Sequence, residues 1–181
     1  MAILNILKED RNTSDLRKKS RPVDKINKRI LILLDDMRET LRDAGGIGLA
    51  APQVGVLRRV VIIEIEEGEL LEMINPEIIY TEGEQEEIEG CLSSPGKFAL
   101  RTRPGIVKIS YLDRNGEKQE KEGEELLARA FCHETEHLDG VLCFDKAIQI
   151  LSQEEVDEMN KDEDEENEDK NENGEGEKTR G

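Results

Sequence analysis

Both histidines of the chain fall in one five-residue pattern, His133-Glu134-Thr135-Glu136-His137. On a helix, side chains four residues apart emerge about 40° from one another, so the two imidazoles can share one metal ion. Glu134 follows the first imidazole, where it can take a proton from water activated by that ion. The bland alternative is a charged helix with two incidental histidines. A catalytic metal also needs a third protein ligand and an open position. Downstream, Asp139 and Asp145 are too close or belong to a turn, and the remaining acids fall in an acidic tail. Upstream, Cys91 lies in Glu89-Gly-Cys-Leu-Ser-Ser-Pro95. A turn bounded by Gly90 and Pro95 can present a thiolate and the following backbone N–H to one point. A single cysteine is more commonly a small buried hydrophobe, and Cys132 and Cys143 are read that way. On a helix Cys132 points about 100° away from His133.

A third stretch, Gly46-Ile-Gly-Leu-Ala-Ala-Pro-Gln-Val-Gly55, combines close-approach glycines with Gln53, an uncharged donor able to meet a developing oxyanion. Its glycines lack the spacings of nucleotide-binding loops. By itself it reads as a helix C-cap followed by a buried turn.

The elements that must carry these residues follow from periodicity. Residues 24–44 read as an amphipathic helix with Asp24 as N-cap and Gly45-Gly46 as its end. Arg59–Ile65 reads as a buried strand. Met73–Ile79 is extended, with Pro76 marking an edge or bulge. Ile106–Leu112 alternates like a strand, Asn115-Gly116 marks a hairpin turn, and the charged limb Glu117–Glu122 is a weak strand at best. Residues 123–139 read as a second helix, bearing the two histidines. Strands interrupted by two separated helices indicate an α+β fold.

Charge divides the chain in two. The 181 residues carry 43 acidic and 26 basic side chains, a net charge of −17. Residues 153–181 hold 14 of the acids, 4 basic residues and only two apolar side chains, Val156 and Met159. Such a segment cannot bury a core and is expected to be a solvated, disordered tail behind a folding unit of residues 1–152. No apolar run approaches the roughly 18 residues of a membrane span. The start, MAILNILKEDRN, lacks the marks of a secretory signal. Three cysteines with no close pair indicate a reducing compartment, hence the cytoplasm. Strong acidity and 3% aromatic content disfavour DNA or single-strand binding.

All three stretches, in this order, resemble the signature motifs of the peptide deformylases: Gly46-Ile-Gly-Leu-Ala-Ala-Pro-Gln53, Glu89-Gly-Cys-Leu-Ser93 and His133-Glu-Thr-Glu-His-Leu138. The resemblance extends over Leu16–Pro22, the first helix and Arg103–Asp113, about residues 1–150. It implies antiparallel and mixed sheets packed around a central HExxH helix, with 1–152 as the catalytic domain. Cys91, His133 and His137 would bind one divalent metal, commonly Fe2+ in this family, with Zn2+, Ni2+ or Co2+ able to substitute. Glu134 would deprotonate water and pass the proton to the leaving amine. Leu92 N–H and the Gln53 side chain would form the oxyanion hole. Gly46, Ile47 and Gly48 would line the peptide like an added strand. Glu89, counted with them on the substrate side, would hold the second motif in place through Arg103.

The implied activity is removal of the formyl group from N-formylmethionyl nascent peptides, releasing formate. A transient ribosome contact belongs with that substrate. The ribosome-docking helix of some members is not carried over, because a tail of this charge would be repelled by RNA. Three positions depart from the family pattern: Ser94 replaces an apolar residue, Glu136 an Asp and Cys132 a frequent Gln. Arg129, one turn before His133, would border the methionine pocket. The competing readings are a catalytically impaired deformylase-like protein that binds metal or formyl peptides, and an HExxH zinc endopeptidase that would not need Cys91.

Overall fold

The structure, a computed structural model, describes residues 1–161. A short helix α1 (Glu9–Leu16) leads to the long helix α2 (Lys28–Ala44). Strands β1 (Gly48–Ala50), β2 (Val60–Ile63), β3 (Leu71–Glu82), β4 (Gln85–Gly90), β5 (Lys97–Arg103), β6 (Ile106–Leu112) and β7 (Lys118–Glu124) follow, then helix α3 (Glu125–Leu138) and strand β8 (Gln149–Ser152). They form a five-stranded antiparallel sheet, β1-β2-β3-β6-β7, and a three-stranded one, β4-β5-β8. This is the expected α+β architecture, and α3 packs against strands of both sheets.

The strand period explains how one sheet serves two helices. Along β2, Val60 and Ile62 join the cluster under α2 with Leu34, Met37 and Leu41. Val61 and Ile63 point the other way, into the cluster with Ala128, Phe131 and Leu138 of α3. Each such side chain contributes about 1.5–3 kcal/mol on burial, so the sheet is fixed against both helices by its own alternation. Helix α2 then ends where the site needs it to. Gly45 adopts a left-handed φ of 65°, and the Gly45 and Gly46 amides cap Arg42 and Leu41 carbonyls. This Schellman closure turns the chain directly into β1.

Several boundaries differ from the sequence reading. Helix α2 begins at Lys28, because Asn27, not Asp24, accepts hydrogen bonds from the Arg29 and Ile30 amides. The limb read as a weak strand is a full edge strand, β7, in continuous register with β6 from Ile106↔Glu124 to Leu112↔Lys118. An edge strand needs only one partner, and its charges are met by water and by pairs such as Lys108–Glu120 at 2.9 Å. The bulge expected near Pro76 is present as a register shift between Ile74 and Glu77. Residues 153–161, expected to be unstructured, are helical. Ser152 and Glu155 form a reciprocal capping box at that start, each bonding the other's backbone N–H. The disorder expected for the rest of the tail lies outside the described residues. No helix among the described residues is long and apolar enough to cross a membrane.

Candidate metal centre

Helix α3 presents His133 and His137 on one face with their Nε2 atoms 3.2 Å apart and the rings edge to face. Cys91 comes from the turn after β4, and its Sγ lies 3.4 Å from His137 Nε2. The three ligand atoms fall within 4.8 Å of one another. A tetrahedral ion with metal–nitrogen and metal–sulfur bonds of usual length separates such ligand atoms by about 3.3–3.6 Å, so this donor set fits a metal. Burial, then the neighbouring His133 and Arg103, push the His137 pKa well down, while that of His133, against its burial, is pushed well up by Cys143, Cys91 and Glu89. A second convergence, Glu89, His133 and Cys143, uses the same imidazole. There the carboxylate is already engaged by a cation, so the Cys91 triad is the open one.

Behind the ligands lies a buried ionic chain. His133 Nδ1 sits 3.1 Å from Glu89 Oε2, which orients the ring. Arg103 grips the Glu89 carboxylate with two bonds of 2.7 and 2.9 Å and reaches Glu136 at 2.9 Å. Arg101, only 2% exposed, donates to both Glu136 oxygens at 2.9 and 3.2 Å. Burial alone would raise the Glu89 carboxyl, but the hydrogen bonds from Arg103 and His133 outweigh it and hold the pKa at about 2. Glu136 stands where the family resemblance leads one to expect Asp, and its longer side chain engages both arginines.

Glu134 points the other way, toward β1. It is buried, its Oε2 has no hydrogen-bond partner, and burial pushes its pKa up to about 7. A carboxylate of that basicity exchanges a proton readily near neutral pH. Gly48 leaves room for it, since a Cβ there would overlap the Glu134 carboxylate and push it aside.

On the side expected to face an oxyanion, backbone groups orient the Gln53 side chain. Gln53 sits in a 3-10 turn, Ala51–Val54, and its Oε1 accepts from the Ala50 amide at 2.8 Å. That bond turns the Nε2 donor toward Ser93 Oγ at 3.2 Å and Cys91 Sγ at 3.7 Å. The Leu92 N–H takes no intramolecular acceptor among the described residues. A cleft of about 380 Å3 opens beside these groups, walled by Gly46–Gly48 on one side and by Leu126, Arg129 and Ala130 on the other.

Nine of the ten residues singled out in the sequence line one cleft, Cys91, His133, Glu134, Gln53, Leu92, Gly46, Ile47, Gly48 and Glu89, and the tenth, buried His137, meets Cys91 and His133 behind it. Glu89, counted with the substrate side and expected to pair with Arg103, is 7% exposed and does bond Arg103, with the same carboxylate also reaching His133 Nδ1. Arg129 does border the cleft, tied to Gln85 at 3.0 Å. Arg101 and Lys8 escaped notice, and Ser93 was quoted in its motif without a contact assigned to it. A buried arginine in a strand carries no periodic signal, and Ser93 and Lys8 make contacts distant in sequence.

A family model described as polypeptide deformylase matches residues 3–153. The peptide deformylase of Thermoanaerobacter pseudethanolicus is 56% identical over 146 residues, covering 81% of this chain and 91% of that protein. Among solved structures, the Legionella pneumophila peptide deformylase superposes with a TM-score of 0.77 at 37% identity, covering 88% of this chain and 96% of that one. The Acinetobacter baumannii enzyme, solved with Met-Ala-Ser bound, gives a TM-score of 0.72 at 30% identity, covering 78% of this chain and 96% of that one.

Proposed function

The chain belongs to the polypeptide deformylase family, metal-dependent hydrolases that remove the N-formyl group from nascent peptides, and on that premise we propose that Cys91, His133 and His137 hold its ion, Fe2+, with Glu134 as the proton carrier. The observation that carries the assignment is the convergence of Sγ and both Nε2 atoms, with the unpartnered Glu134 carboxylate buried among them. Zn2+, Ni2+ and Co2+ suit the same donors. The ion supplies Lewis acidity, polarising a carbonyl and making water acidic near neutral pH.

The chain's own residues do the rest. An extended peptide lies along Gly46, Ile47 and Gly48, its first side chain toward Leu126 and Ala130. The formyl oxygen faces Gln53 Nε2 and the Leu92 N–H, which stabilise the charge that develops when water attacks. Glu134 takes the proton from that water and returns it to the peptide nitrogen as the C–N bond breaks. Formate and a free N-terminal amine result. The Met-Ala-Ser peptide held by the Acinetobacter relative supports a peptide ligand in this cleft.

Residues 1–152 form the catalytic unit in this reading, with 153–181 an acidic appendage; the family match ends at residue 153. The protein works in the cytoplasm and meets nascent chains in transient contact with the ribosome, a reading that the substrate class supports. The test is formate release from formyl-Met-Ala-Ser by anaerobically purified protein, with metal content measured alongside. Release by the wild type and its loss in metal-loaded Glu134→Ala support the assignment. Normal turnover by that variant overturns it.

A further inference from the structure

Two rungs join α3 to β4. Residues four apart lie on one face of a helix, and alternate residues on one face of a strand. Arg129 and His133 are so related on α3, and Gln85, Glu87 and Glu89 on β4. The first rung is His133 Nδ1 with Glu89 at 3.1 Å. The second is Arg129 Nη1, which donates to Gln85 Oε1 at 3.0 Å and comes within 3.9 Å of Glu87. Gln85 is itself held. Its Nε2 donates to the Pro104 carbonyl at 2.8 Å and to the Glu125 carbonyl at 3.0 Å, which leaves its oxygen facing Arg129. Glu125 opens α3 with a left-handed φ of 47°, a form that a non-glycine residue keeps only where its neighbours hold it. Here Gln85 holds its carbonyl, and the Gly105 carbonyl holds its amide.

Arg129 also stands in the cleft wall. Leu126, Arg129, Ala130 and His133 follow the i, i+3, i+4, i+7 spacing of one helix face, and all four line the cleft. Gln85 and Glu87 do not line it. The head of Arg129 is thus bonded to groups outside the wall, between α3 and β4, and its side chain is only 17% exposed. What it adds to the wall beside Leu126 and Ala130 is its methylene stem, the usual division of a long cationic side chain.

We propose that Gln85 is a positioning residue for substrate specificity: it holds the Arg129 guanidinium out of the cleft and so keeps the pocket for the first substrate side chain neutral and suited to a thioether. This rests on the reading that the first side chain lies toward Leu126 and Ala130. Released from Gln85, the guanidinium can turn into that pocket. An apolar side chain would then strip its water and return no bond, whereas a carboxylate would replace the bonds lost. Gln85 therefore decides which of two side-chain chemistries the same wall accepts, without touching the substrate.

The test uses the metal-loaded full chain and two substrates, formyl-Met-Ala-Ser and formyl-Glu-Ala-Ser, and reads the ratio of their kcat/KM values. Gln85→Leu should move that ratio about tenfold toward the glutamyl substrate, with kcat for the methionyl one within about twofold. Gln85→Glu loses the same two amide donors but keeps an acceptor for Arg129, and should stay near the wild-type ratio. Adding Arg129→Met to Gln85→Leu deletes the charge and keeps an unbranched stem, so the ratio should return. A merely structural role for Gln85 predicts no such repair. Calorimetric binding of the products Met-Ala-Ser and Glu-Ala-Ser should follow the same order without turnover. An unchanged ratio in Gln85→Leu, an equal shift in Gln85→Glu, or a shift that survives Arg129→Met overturns the proposal. Ala130→Leu, assayed in parallel, tests the pocket reading: it should raise KM for formyl-Met-Ala-Ser more than for formyl-Ala-Ala-Ser. If it does not, the pocket reading fails; if it does while Gln85→Leu changes nothing, only the role of Gln85 fails.

Discussion

The two sides of the cleft are held by different physics. On the proposed metal side, buried charges hold the side chains: His133 on Glu89, Glu89 on Arg103, Arg103 on Glu136, Glu136 on Arg101. On the proposed oxyanion side, Gln53 and the turn around Leu92 are held by hydrogen bonds from Ala50, Ser94 and residues 7–9 to their oxygens. A buried ion pair is costly to break on one side only, because the partner is left charged and unsolvated. A hydrogen bond to a carbonyl fails gently. Loss of support should therefore release metal and fold on the first side, and slow turnover with metal retained on the second.

Glu134 lies between the two and should give the largest effect. Glu134→Ala is expected to lower formate release by about 10²–10⁴-fold while metal content stays at wild-type level. Gln53→Ala comes next, at about 10²–10³ in kcat, with metal and melting temperature nearly unchanged. If Gln53→Ala loses its metal, the division between the two sides fails. Arg103→Met should behave oppositely. It leaves Glu89 buried without its cation, costing about 3–5 kcal/mol of stability in denaturant unfolding and about 10–100-fold in metal affinity. A stable, metal-replete Arg103→Met protein would show that the ionic chain does not hold the ligands.

The smallest effect is in acid. Glu89 is held at about 2 against an ordinary 4.5. A carboxylate depressed by folding stabilises the fold above the unfolded value and ceases to do so as pH falls through the folded one. The metal-free protein should lose this contribution between about pH 4.5 and 2, and Glu89→Gln should flatten that part of the stability curve. A wild-type curve that is already flat there would remove Glu89–Arg103 from the account.

How much of this was legible in the chain depends on the range of each interaction. His133 and His137 were readable because one turn of helix sets their relation. Ile106–Leu112 was readable because alternation is local, and the Pro76 bulge because proline lacks an N–H. β5 was not, since Arg101 and Arg103 occupy positions that point inward and break the apolar pattern. Asp24 and Asn27 are both good caps, and only the chain's entry into α2 selects between them. The helical start at Ser152 was signalled by Ser-x-x-Glu155, but the weight of charge behind it hid the motif.

The sequence by itself determined the reactive groups: two imidazoles at helical spacing, a carboxylate beside them, a cysteine in a turn, and an amide among glycines. Local geometry is set by neighbouring residues, so it is written in their order. Only the tertiary structure decided that Cys91 meets His137, that Glu89 bonds His133 as well as Arg103, and that Lys8 reaches Leu92. Those contacts join residues 46, 44 and 84 positions apart. Their energy exists only after both partners have been desolvated together, which no stretch of chain can do alone.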